Sequence, residues 1–101
     1  MPKLTSTPFL AELIGKIIFK EPKKVYDKKS AYYKKPYFKL RVLTSEAEKH
    51  NFFVYPNLVN QTVWKDIENS QYVDKRYLLY AEERRKGFIL HNWQELEEED
   101  D

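Results

Sequence analysis

Residues 8–20 read PFLAELIGKIIFK, and whether they form a strand or a helix decides the fold. Leu10, Leu13, Ile14, Ile17 and Ile18 fit the helical period, so a helix over 9–19 is the competing reading. Two features favour a strand over about residues 9–20. Ile14, Ile17 and Ile18 are β-branched and suit a pleated surface, and Gly15 weakens a helix at its centre. In that strand Leu13, Ile17 and Phe19 supply apolar positions, and Glu12, Lys16 and Lys20 interrupt them. A glycine in mid-strand suits a bulge or a sharp bend, because it has no Cβ to obstruct either.

Working outward, residues 21–36 hold two prolines, six lysines and almost no aliphatic side chain, which predicts a long basic loop or an extended hairpin tip. PYFKLRVLT (36–44) alternates: Phe38, Leu40 and Val42 fall on one face, Tyr37, Lys39 and Arg41 on the other. That is a strand with one core face and one wet face. SEAEKHN (45–51) predicts a polar turn and FFVYP (52–56) a third strand, with one of Phe52 and Phe53 inward and the other outward. Within NLVNQTVWKDIENSQY (57–72), Val59, Val63, Trp64 and Ile67 make an apolar stripe behind Asn60, a suitable N-cap, so a helix of about ten residues is expected. Trp64 is expected between helix and barrel, and Trp93 in either core or groove. Strands over 75–83 and 87–96 follow, joined through Arg84-Arg85-Lys86-Gly87, where Gly87 can take positive φ. Three strands, a helix and two strands are the element order of the OB-fold, a mainly β, five-stranded Greek-key barrel with its helix between strands 3 and 4. Residues 1–94 are expected to form this domain, with a basic loop over 20–36, and residues 95–101 an acidic tail.

The length of 101 residues suits one domain with a modest core. With 42% hydrophobic and 16% aromatic residues the chain has enough to bury, despite 34% charged residues. No apolar run is long enough to cross a bilayer, and the first residues lack the pattern of a secretory leader, so neither a membrane nor secretion is expected. The absence of cysteine excludes disulfides and thiolate metal sites. The net charge of +2 hides an asymmetry: residues 1–41 carry +8 and residues 42–101 carry −6, with six acids in the last seven positions. Such a division points to a polyanionic partner for the basic part. The acidic end could fold back on the basic groove, recruit a basic protein partner, or simply stay solvated.

The segment KEPKKVYDKKSAYYKKPYFKLRV (20–42) contains nine Lys or Arg and five Tyr or Phe. Cations neutralise phosphates and release counterions, and rings stack on unpaired bases. Lys16, Lys20, Lys23, Lys24, Lys28, Lys29, Lys34, Lys35, Lys39 and Arg41 are therefore expected to meet phosphates, and Tyr26, Tyr32, Tyr33 and Tyr37 to meet bases. Arg84, Arg85 and Lys86 offer a second phosphate contact. The competing reading for each is a solvated charge or a ring packed on the barrel.

Leu13-Ile14-Gly15-Lys16-Ile17, Pro22, Tyr26 and Phe38-Lys39-Leu40-Arg41-Val42 together resemble the opening of the single-stranded DNA-binding (SSB) proteins of bacteria and organelles. The first connection is longer and more basic here, and Pro22 sits one residue late. A glycine-rich linker and an apolar tip on the acidic end are absent. The resemblance implies non-sequence-specific binding of single-stranded DNA or RNA in replication, recombination or repair. It also implies a dimer or tetramer, and a bacterial cytoplasm and nucleoid or a plastid interior. The alternative is an adaptor or structural subunit of a polymerase or ribonucleoprotein complex. Catalysis is not expected, nor are a metal or other cofactor: His50 and His91 are far apart, and no phosphate loop or nucleophile–base arrangement is evident.

Overall fold

The computed structural model describes residues 10–31 and 33–97. Five strands and one helix follow in the order β1 (Leu10–Lys24), β2 (Pro36–Thr44), β3 (Lys49–Val54), α1 (Gln61–Glu68), β4 (Arg76–Arg84) and β5 (Gly87–Leu96). They close into a barrel of order β1-β2-β3-β5-β4, in which β3 and β5 run parallel and every other pair is antiparallel. This is the OB-fold expected from the element order, and the strand reading of 9–20 holds over the described residues.

Gly15 is the point where β1 changes partner. Leu10–Gly15 pair with β4, and Gly15–Lys24 pair with β2. A Cβ built on Gly15 would lie 2.7 Å from the Leu43 carbonyl oxygen and 2.8 Å from Val42 Cγ1, so only glycine admits the close approach of β2. The β-bulge itself lies further on, between Ile17 and Phe19. It turns Phe19 outward, 58% exposed, although plain alternation would place it on the Ile17 side.

Three other boundaries depart from the sequence reading. Residues 20–24 and 36 belong to strands rather than to a loop, because β1 continues as a ribbon paired with Pro36–Leu40; only residues 25–35 remain as the connection. Over Lys20–Pro22 this continuation flanks the β2–β3 pair, and only Lys23–Lys24 with Pro36–Tyr37 reach beyond β3; its mostly polar side chains hid it. Similarly β3 starts at Lys49, within the predicted turn, and the Thr44 hydroxyl accepts from the Glu46 and Glu48 amides to close the tighter turn that results. Helix α1 spans eight residues rather than ten. Asn60 caps it as expected, its side chain accepting from the Val63 amide at 2.9 Å.

Leu40, Val42, Phe52, Val54, Leu79 and Leu90 fill the barrel, and Val63 and Ile67 of α1 are buried with them. Phe52 is therefore the inward ring and Phe53 the outward one. Trp64 packs on Phe38, with ring centres 4.8 Å apart, as a bridge between helix and barrel. Trp93 lies on the core side, stacked on Tyr77 at 4.0 Å. Burial, then Glu95 and Asp66, push the Tyr77 phenol up to about 12.

Candidate nucleic-acid interface

The outer faces of β1, β2 and β3 bring side chains into rows set by the strand register. Glu21, Lys39 and Phe53 form one row, each opposite its neighbour, and Phe19, Arg41 and Asn51 form the next. Beyond the first row, Lys23 faces Tyr37, whose ring stacks on Tyr55 at 5.1 Å. Each of these three rows thus holds a cation and at least one ring. Along a strand they are roughly 7 Å apart, two residues per step, a spacing comparable with one nucleotide of an extended single strand.

Tyr37, Lys39 and Arg41 occupy the outer face that their alternation predicts, opposite the buried Leu40 and Val42. Tyr37 also lies 6.5 Å from Phe53, so the rings of Tyr37 on β2, Phe53 on β3 and Tyr55 just after β3 make one patch. Burial, then the neighbouring Tyr37, raise the Tyr55 phenol above its usual range. Lys23 stands on this face as well. Lys16 is exposed one step further, opposite Leu43, which in turn faces Lys49.

Lys20 does not belong to the patch. It lies on the opposite face of β1, and its ammonium reaches the C-terminus of α1. It donates to the Ile67 and Glu68 carbonyls at 3.0 and 3.2 Å and to the Ser70 hydroxyl at 3.1 Å, and it sits 5.3 Å from the Phe38 ring centre. A cation at a helix C-terminus satisfies otherwise unpaired carbonyls and the helix dipole. Lys20 is therefore a structural cap rather than a phosphate contact. Lys20→Met should lower stability by about 1–2 kcal/mol, read by chemical denaturation, and leave the salt dependence of any nucleic-acid binding unchanged. A reduced salt slope in this variant would return Lys20 to the interface. Lys24, paired with Pro36, shares the Lys20 side of the ribbon.

The described residues of the connection 25–35 are held by turns of their own. Val25 and Lys35 continue the ladder, Asp27 accepts from the Ser30 and Lys29 amides, and Lys34 takes a positive φ of 68°. Tyr26 is 79% exposed at this tip, and Lys28, Lys29, Lys34 and Lys35 are exposed beside it. Tyr33 is half-buried with the Lys34 ammonium 5.5 Å from its ring centre. Tyr32 lies outside the described residues. At the base of the tip, Val25, Pro36, Tyr55 and Pro56 wall an apolar cleft that borders the Tyr37–Tyr55 stack.

At the other end, the β4–β5 turn approaches the same face. Gly87, at φ 154°, has its missing Cβ against the Asn51 carbonyl, which fixes the turn beside β3. Lys49, Asn51, Arg84, Arg85 and Lys86 line one cleft there, and Asn51 also lines the cleft of Phe19, Lys39 and Arg41. The predicted Arg84–Lys86 contact therefore adjoins the β2 residues. Arg84 is engaged by Glu82, which also meets His91 at 3.3 Å, so Arg85 and Lys86 are the two turn cations left to face a ligand.

Phe19, Phe53, Tyr55, Lys49 and Asn51 are the members that the candidate set above omits. Phe53 was half-visible as one of an inward–outward pair. Phe19 has no signal in the sequence, since the bulge that exposes it leaves no mark there. Of the acidic tail, Glu95 lies within β5 and pairs with Lys75 at 3.6 Å; Glu98, Glu99, Asp100 and Asp101 lie outside the described residues. Among the described residues no group of His, Asp or Glu is placed to hold a metal ion, and no helix is long and apolar enough to cross a membrane. No protein-family model and no curated protein sequence matches the chain.

Proposed function

We propose that the protein binds single-stranded nucleic acid, DNA in the first place, with little dependence on sequence, in support of replication, recombination or repair. The observation that supports this most directly is the outer face of β1–β3, where every row from Lys23 to Asn51 combines a cation with a ring. On OB barrels the face of strands 2 and 3, between the β1–β2 and β4–β5 connections, is where oligonucleotides lie. Here both connections are basic, and the resemblance of residues 13–42 to the SSB proteins agrees with the same reading.

The test is anisotropy binding of labelled oligo-dT, the corresponding RNA and duplex DNA at two salt concentrations. Lys23, Lys39, Arg41, Arg85 and Lys86 as five phosphate contacts give a slope of about −3.5 in log K against log salt. Affinity for the single strand should then fall roughly a hundredfold between 50 and 200 mM salt, with duplex bound more weakly at both. No micromolar binding at low salt, or equal affinity for duplex, would remove this reading.

A second reading is a subunit of a larger polymerase or ribonucleoprotein assembly. It is favoured by Ile18 and Val73, 47% and 57% exposed along one cleft beside Lys16 and Asp74. Co-purification with a fixed protein partner that survives nuclease treatment would select it.

A further inference from the structure

Glu21 is the one acid in the three rows, and it does not suit a surface that only collects phosphates. It sits between two cations, opposite Lys39 and two residues from Lys23, and it lines a cleft of about 270 Å³ with Phe19, Lys39, Arg41 and Asn51. Its ion pair with Lys23, at 3.4 Å, joins groups 44% and 37% exposed, so it is screened and readily exchanged. A carboxylate repels phosphate, but it accepts N–H donors of a base edge. The Phe19 ring beside it is more than half exposed and offers a stacking face.

We propose that this cleft is a base-reading subsite that selects guanine within the single-strand groove, a proposal that rests on the reading given above. Guanine alone among the bases presents two adjacent donors, N1–H and N2–H, to a carboxylate, and next to them the acceptors O6 and N7. Glu21 takes the two donors. Lys39, which faces Glu21 across the β1–β2 pair, and Arg41 in the next row stay with the phosphates, so the preference rests on these two donors. Adenine and cytosine each offer one amino group to Glu21. Thymine and uracil turn a carbonyl to either side of their single N–H and are opposed by the carboxylate. The groove takes its affinity from rings and phosphates, and this subsite adds a preference at one position.

The experiment measures binding of an oligo-dT of about twelve nucleotides against the same strand with one central dG, dA or dC, for the natural chain and for Glu21→Gln. One bidentate contact corresponds to about tenfold tighter binding of the dG strand. Glu21→Gln keeps the side chain's size, removes a negative charge and loses the paired acceptor. It should bind oligo-dT at least as tightly as the natural chain and lose the dG preference. Equal affinity for the four strands would overturn the subsite and leave general single-strand binding standing. A Glu21→Gln variant that tightens on all four strands alike, with the dG preference kept, would assign Glu21 a purely repulsive role and also overturn it. No binding of any strand by the natural chain at low salt would overturn both readings together.

Discussion

Replacing Tyr37 and Phe53 together by alanine should weaken oligo-dT binding about a hundredfold while leaving its salt dependence as it was. Both rings stand on the outer face, 6.5 Å apart, and neither carries charge. Stacking on an aromatic side chain contributes about 1–3 kcal/mol per base, and two losses of about 1.4 kcal/mol each, in the lower half of that range, give two decades in affinity. Lys39→Ala with Arg41→Ala is the complementary pair. It removes two phosphate contacts and should lower the magnitude of the salt slope by about 1.4, at about 0.7 per contact. The two double variants therefore separate along different axes of one titration. If the ring variant kept its affinity for oligo-dT, the rings would be packing groups and not a stacking surface.

Gly15→Val should cost about 3 kcal/mol or more, the upper part of the range for overpacking. Its Cβ would fall against the Leu43 carbonyl oxygen and the Val42 side chain, and a backbone atom cannot turn aside as a flexible side chain can. A domain of this length has about 5–15 kcal/mol in all, so the loss is a large part of the whole. The melting temperature followed by circular dichroism should drop by about 15 °C. Gly15→Ala should fall between the two. A valine variant melting within a few degrees of the natural chain would show that β2 approaches β1 less closely than the register implies.

Much of this architecture can be read from the chain, and the reasons for the rest are physical. PYFKLRVLT announces its inward and outward faces because a strand half-buried on a barrel must alternate, and the structure keeps those faces residue by residue. Asn60 and Gly87 were legible because a helix start and a tight turn each need a particular residue type. The continuation of β1 over Lys20–Lys24 was not, since its side chains are mostly polar and its far end, Lys23–Lys24, pairs with β2 beyond the reach of β3. Phe19 was missed because one extra residue at a bulge reverses the parity of everything after it, from Phe19 to Lys24. Lys20 was misread for the same cause. On simple composition it is one more lysine in a basic run, and only the reversed parity turns it toward the carbonyls of α1.

The division of β1 at Gly15 also orders events in time. Its second half pairs with β2, a hairpin partner reached within a few dozen residues of synthesis, and β3 adds to the same meander. Its first half pairs only with β4, Leu10 opposite Glu82, so the earliest described residues of the chain find their partner among the last. Closing such long-range pairs late is what makes all-β barrels slow to fold. On a ribosome, Leu10–Ile14 emerge early as an unpaired strand edge and stay so until β4 has followed, an interval in which edge strands are most exposed to wrong partners. Glu12, between Ala11 and Leu13, keeps a charge within that edge during the wait.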